Sequence, residues 1–298
     1  MFKLERYLKE RAALIEAALA GTVVPHDGPA APLYESMRYS VLGGGKRLRP
    51  ILALASCEAV GGRTGDAINF ACAIEMIHTY SMIHDDLPCM DDDDLRRGRP
   101  TNHKVYGEAI ATLAGDGLLT DAFKVLARSV NGSRNSRAEV VLQTVAELSE
   151  AAGSGGMVEG QSIDLLAEGK PMELAQLEYL HSKKTGALFM VAVRGGARMG
   201  GASDAQVEEL SAYARAFGLA FQVVDDLLDV ESSTEQVGKR TQKDHARGKA
   251  TYPSLLGVER SHQLAGELVA RAHAALASFG DDAQALRHLA TYVVERKL

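Results

Sequence analysis

The chain has 298 residues, a net charge of -6 and a 46% hydrophobic content, which provides for a deep core and argues against a nucleic-acid-binding surface. Alanine and leucine prevail over β-branched and aromatic residues, favouring helix over sheet. Three cysteines without a CxxC spacing argue against a disulfide framework or a zinc site and for reduced thiols in a cytoplasmic protein.

Leu4, Leu8, Leu14, Ile15 and Leu19 suit one amphipathic helix that Gly21 can close, and this segment lacks the long apolar stretch of a signal peptide. Pro50 follows the glycine-rich Gly43–Arg49 stretch and suits the first position of a helix. Residues 67–86 are apolar on nearly every face and predict a core helix that stops at the aspartates, because Leu87 precedes Pro88. Further helices are expected near 108–129, 138–152, 157–167 and 173–194, and Tyr213–Val224 repeats the pattern of an apolar helix ending in aspartates. Thr22–Val24 and Tyr292–Val294 are the only short extended candidates. The longest apolar run, Gly186–Val193, falls far short of the ~18 residues of a membrane span. Length alone suggests about two domains, but no linker, charge block or compositional break divides the chain, so residues 1–298 are read as one all-α domain.

Two acidic clusters carry the chemistry. Asp85, Asp86 and Asp91 end the first apolar helix, and Asp225, Asp226 and Asp229 end the second. Carboxylates set against an apolar wall are costly without a cation, and an all-oxygen set without histidine or thiolate suits Mg2+, which shares its shell with water and phosphate. Asp225 and Asp229 share one helix face with Gln222, while Asp226 lies about 100° around. An isolated DDxxD would more often be a solvated helix end; here Val223, Val224, Leu227 and Leu228 set it on a core helix. Asp92, Asp93 and Asp94 continue the first cluster and are given structural roles beside Arg96 and Arg97. His78, two turns before Asp85, shares its face.

Basic groups complete the pattern. The segment Gly43-Gly44-Gly45-Lys46-Arg47-Leu48-Arg49-Pro50 offers backbone N–H groups, cations and a helix start, three ways of holding phosphate. Lys184 with Thr185, Lys239 and Lys249 follow later. Each alone would pass as surface charge; together with both acidic clusters they describe a clamp for a diphosphate.

In this combination the chain resembles the trans-isoprenyl diphosphate synthases, most closely the bacterial farnesyl diphosphate synthases. MRYSVLGGGKRLRP (37–50), EMIHTYSMIHDDLPCMDDDDLRRGRPT (75–101), GMVEGQSIDL (156–165), KKTGALF (183–189), FQVVDDLLDV (221–230) and GKATYPSLLG (248–257) carry the resemblance in the family's order. It implies an isoprenoid-synthase-type helical bundle around a central cavity, a homodimer, and head-to-tail joining of an allylic diphosphate to isopentenyl diphosphate with release of pyrophosphate. By resemblance the six aspartates hold three Mg2+ ions, for which Mn2+ can substitute. Arg96, Lys184, Lys239 and Lys249 face the leaving diphosphate, and Lys46, Arg49, His78 and Arg97 hold isopentenyl diphosphate. Thr185, the Lys184 carbonyl and Gln222 stabilise the allylic cation. Gln161 and Asp164 match positions near the reacting centre.

Tyr80 and Ser81 precede Asp85 by five and four residues, about one turn down the helix where a growing tail would descend. In the family an aromatic residue there stops growth at fifteen carbons, which makes Tyr80 the expected floor and farnesyl diphosphate the expected product. A geranylgeranyl diphosphate synthase is the alternative within this chemistry, and a non-catalytic regulatory subunit of the same fold the alternative outside it. A terpene cyclase lacks support, since its second metal motif is absent. Gln242 stands where relatives commonly place glycine, which implies a differently shaped closing loop.

Overall fold

The computed structural model describes residues 2–131, 137–235 and 250–295. The first half comprises α1 (Leu4–Thr22), α2 (Ala31–Val41), α3 (Leu48–Ala59), α4 (Thr64–Asp85), α5 (Asn102–Tyr106) and α6 (Glu108–Ala127). The second half comprises α7 (Ala138–Ala152), α8 (Met157–Ala167), α9 (Leu174–His181), α10 (Ala187–Gly200), α11 (Asp204–Glu235), α12 (Tyr252–Leu256), α13 (Val258–Ala274) and α14 (Gln284–Glu295). This is the all-α architecture expected from the composition.

Helix α4 is the centre of the bundle. Phe70, Ile74, Met76 and Ile77 are fully enclosed, and α3, α6 and α10 pack around them. Its start is fixed by the Asp66 carboxylate, which accepts the Arg63 backbone N–H at 2.8 Å. Its end falls at Asp85, as the Leu87–Pro88 step predicts. On the other side of the molecule α11 packs against α10, α13 and α14. The buried Tyr213 hydroxyl ties it to α14 by donating to the Leu286 carbonyl at 2.8 Å.

Several boundaries differ from the sequence expectation. Tyr292–Val294 is helical, not extended, because Leu286, Leu289, Ala290 and Val293 are buried at helical spacing and packing overrides the β preference of the valines. Thr22 closes α1, one residue beyond Gly21. Pro50 sits third in α3 instead of first, still within the turn whose N–H groups lack intrahelical partners. The expected 173–194 helix is α9 and α10 joined by a π-helical turn, Ser182–Gly186. Helix α11 is longer at both ends than Tyr213–Val224.

One strand pair was not foreseen: Leu95–Arg96 (β1) pairs antiparallel with Arg99–Pro100 (β2). Arg97 and Gly98 between them have φ of 53° and 75°, the pair of left-handed residues that a tight two-residue hairpin demands. This hairpin turns Arg96 back toward the end of α4.

Candidate active site

The end of α4 and the loop after it bring the first aspartates together. The Asp91 N–H donates to the Asp85 carbonyl at 2.8 Å, and the Asp92 N–H to the Leu87 carbonyl at 3.1 Å. The intervening Leu87–Met90 segment thus folds back and sets Asp91 beside Asp85. Burial pushes the Asp85 carboxyl up to about 6, and nearby Asp91 and Asp86 add to that rise, against the pull of Lys184 and Arg96. Asp86 has a different setting. It is buried, and Arg96 holds it through Nε, 2.9 Å from each oxygen, and Nη2, 2.7 Å from Oδ1.

The second cluster rises from α11. Asp226 accepts the Gln222 amide at 3.0 Å on one oxygen and the Tyr252 backbone N–H at 3.0 Å on the other. Gln222 in turn accepts the Thr185 hydroxyl at 3.2 Å. The π-helical turn presents Lys184 and Thr185 inward. Lys184 donates to Asp164 at 2.6 Å, whereas Lys183 points away to the Gly155 carbonyl and Glu159. Gly160 lets α8 approach this turn: a Cβ there would lie within 2.7 Å of three atoms of Lys184.

These walls enclose a polar chamber of about 400 Å3. It opens into a deeper one of about 720 Å3. Asp85, Arg96, Lys184, Thr185, Gln222 and Asp225 border both and form the neck between them. Asp91 and Asp226 line the polar chamber. Arg49, His78, Arg97, Tyr80, Ser81 and Gln161 line the deeper one. Of the other sequence-derived candidates, Asp86 faces a small cleft behind the neck with Arg96 and Arg97. Lys46 is exposed and borders a separate cavity of about 240 Å3 beside Leu48 and Phe221. Asp229, partly buried one turn beyond Asp225, borders neither chamber. Lys239, Lys249 and Gln242 lie outside the described residues.

The basic wall of the deeper chamber is built from the Gly43–Arg49 loop. Arg47 adopts a left-handed φ of 49°. Its buried guanidinium pairs with Glu75 at 2.6 Å and donates to the Val41 carbonyl at 2.7 Å. That anchor positions its neighbours. Arg49 lies over the Phe189 ring, 4.6 Å from the centroid, and donates from Nη1 to His78 Nε2 at 3.2 Å. Burial, with Arg97 nearby, draws Arg49 down to about 10 against Glu75 and Asp225, so it stays charged near neutrality. Burial first, then Arg49, Arg97, Arg96 and Arg47, hold His78 well below its ordinary value. Neutral His78 therefore accepts at Nε2 and carries its proton on Nδ1. Arg97 reaches back to donate to the Gly44 carbonyl.

Some wall residues were not singled out as site candidates, although His84, Leu188 and Phe221 lie within the segments that carry the resemblance. Asp93, given a structural role above, borders the polar chamber together with Lys170 and Thr251. His84, Phe221 and Leu188 border the deeper one. A lone lysine after a glycine turn, or a phenylalanine in a core helix, reveals nothing until the helices are assembled.

The donor chemistry fits a hard divalent cation. Among the described residues no three acidic side chains converge into a closed cage. Asp85 and Asp91 stand on one wall and Asp225 on the other, the open arrangement suited to Mg2+ that keeps water and phosphate oxygens in its shell. Burial of Asp85 beyond what Lys184 and Arg96 compensate is likewise relieved by a cation.

A helical bundle with paired aspartate walls, an adjoining cationic wall and an apolar extension defines a class of enzyme acting on diphosphates with hydrocarbon tails. The polyprenyl synthetase family model matches residues 30–286. The dimethylallyltranstransferase of Fischerella ambigua (strain UTEX 1903) is 48% identical over 296 residues, 99% of this chain and 84% of the relative. A chloroplastic geranylgeranyl pyrophosphate synthase of Catharanthus roseus is 46% identical over 297 residues, covering 99% and 82%. An FPP/GFPP synthase from Zymomonas mobilis, solved without ligands, superposes with a TM-score of 0.87 at 41% identity, covering 98% of both chains. The chain belongs to the polyprenyl synthetase family and is a prenyltransferase of the trans-isoprenyl diphosphate synthase type.

Proposed function

We propose that the whole chain forms one catalytic domain that adds isopentenyl diphosphate to dimethylallyl and then geranyl diphosphate and stops at farnesyl diphosphate. The observation that carries the product length is Tyr80. It is only 7% exposed and borders the deeper chamber one turn below Asp85, on the path a tail would take away from the aspartates.

In this reading Asp85, Asp91, Asp225 and Asp226, which line the polar chamber, together with Asp86 and Asp229 beside them, would hold Mg2+ with the allylic diphosphate. The ions, when bound, supply positive charge to the leaving oxygens. Lys184 and Arg96 add to it from the protein. As the C–O bond breaks, the Gln222 and Thr185 oxygens face the allylic cation as fixed dipoles, which cost no reorganisation at that moment. Arg49, Arg97 and neutral His78 hold isopentenyl diphosphate with its double bond toward that cation. The new C–C bond leaves a second cation, and the released pyrophosphate takes its proton. The isopentenyl double bond is itself the nucleophile, so no nucleophilic side chain is needed. Lys46 would join the homoallylic diphosphate, and Lys239 and Lys249 would add positive charge to the leaving group.

A homodimer fits the exposed Leu113 on α6 and Leu142 on α7. A cytoplasmic location fits the free Cys57, Cys72 and Cys89. No described helix is long and apolar enough to cross a membrane.

A geranylgeranyl product is the second reading, favoured by the small Ser81 beside Tyr80 in the chamber wall. Incubation with Mg2+, labelled isopentenyl diphosphate and each allylic starter decides between them. Farnesol after dephosphorylation supports the first, geranylgeraniol the second. Tyr80→Ala is expected to shift the product from fifteen toward twenty carbons or more; an unchanged product from an active variant refutes Tyr80 as the floor.

A further inference from the structure

Tyr80 does not stand alone in the wall. His84, one turn further along α4, borders the same chamber. Its ring meets Tyr80 edge-on, with centroids 5.8 Å apart and planes at 79°. His84 is fixed from the other side by α6. Its Nε2 lies 3.0 Å from the Thr112 carbonyl, an acceptor that calls for a proton on that nitrogen, and 4.0 Å from the Asp116 carboxylate. The ring occupies a notch that exists only because residue 115 is glycine: a Cβ there would come within 2.9 Å of three His84 ring atoms. Gly115 and its α6 neighbours Ala114 and Ala111 are buried against α4, so the helix cannot retreat to make room.

We propose that His84 is a positioning residue for product length. Wedged between Gly115 and Tyr80, it stops the phenol from swinging toward α6 and so sets how far the tail chamber extends. The inference rests on Tyr80 being the floor, and adds that the floor's position is decided by the α4–α6 contact. The ring volume of His84, not its charge, does the bracing. The size of residue 115 becomes a second control on chain length from a helix outside the substrate motifs.

The test is a set of variants read by the ratio of twenty-carbon to fifteen-carbon alcohols, a ratio internal to each reaction and independent of total rate. Tyr80→Ala first establishes the floor. His84→Ala and His84→Asn, which keep Tyr80 but remove the ring, are each expected to raise the ratio at least fivefold. Gly115→Ala is expected to push the ring into the chamber and leave geranyl diphosphate accumulating from the dimethylallyl starter. In the His84→Ala, Gly115→Ala double variant the new methyl has no ring to strike, so its ratio should match His84→Ala within twofold. If Tyr80→Ala lengthens the product while both His84 variants leave it unchanged, the brace is refuted and the floor stands. A Gly115→Ala effect that persists without the His84 ring refutes it equally. If Tyr80→Ala changes nothing, the floor reading fails and the brace falls with it. Should Gly115→Ala fail to fold, the two His84 variants decide the matter.

Discussion

Arg96 grips both carboxylate oxygens of Asp86, at 2.7 and 2.9 Å, while Asp85, one residue earlier, borders both chambers. Adjacent aspartates in one motif therefore border different cavities. The hairpin between β1 and β2 makes this possible by returning Arg96 to the end of α4.

The two aspartates are expected to fail differently. Asp85→Asn should cut kcat by about 100-fold or more, with a raised Mg2+ requirement, and raise the melting temperature of the metal-free chain, because it removes a carboxylate whose charged form burial disfavours. Asp86→Asn should lower stability, because it removes the bidentate partner of the Arg96 guanidinium and leaves it the more distant Asp93, at 3.9 Å. Breaking a fully buried pair costs about 3–5 kcal/mol. The side chain of Arg96 is 36% exposed, so solvent screening brings the expectation to about 2 kcal/mol. Urea denaturation alongside Mg2+ titration of the rate separates the two. Equal loss of stability in both variants would remove the distinction.

Gly45 controls the position of Arg97. Its φ is 130°, and a Cβ there would lie within 2.7 Å of three atoms of the Arg97 guanidinium. Gly45→Ala should displace Arg97 and raise KM for isopentenyl diphosphate about tenfold, equivalent to about 1.4 kcal/mol. KM for the allylic substrate should hardly move. A selective change in the allylic KM instead would place Arg97 on the other diphosphate.

His78 carries a pH signature. Its pKa is lowered in the folded protein, so above about 6.5 it is neutral in both folded and unfolded chains and adds no pH dependence. Below about 6.5 the unfolded chain binds a proton that the folded chain refuses. Stability should then fall as pH falls, by up to about 1.4 kcal/mol per pH unit. Asp85, pushed up to about 6, takes up a proton when folded and works in the opposite direction. The measurable quantity is therefore the difference between the native chain and His78→Asn in unfolding free energy from pH 7.5 to 5. The native chain should lose more, and parallel curves would show that His78 titrates normally.

Much of the site was legible because its chemistry is local in sequence. The spacing of Asp225 and Asp229 with Gln222 follows from helix periodicity. The stop of α4 at Asp85 follows from Leu87 preceding Pro88. The glycine-rich loop announces itself by composition. The deeper chamber's other residues were not legible, since His84 and Phe221 lie in apolar helices whose inward face is known only once partners are in place. The π-helical turn at Ser182–Gly186 was invisible too, because α9 and α10 read as one continuous helical pattern.

The amino-acid sequence by itself determined the helical class, both aspartate-ended core helices and the family, since each depends on periodicity, capping and motif spacing over a few turns. Only the tertiary structure decided which aspartate of a pair looks into the cavity, that Arg47 anchors the basic loop on Glu75, and that His84 rests between Gly115 and Tyr80. These depend on contacts between segments far apart along the chain. Their geometry comes from close packing, in which a single Cβ is enough to displace a ring.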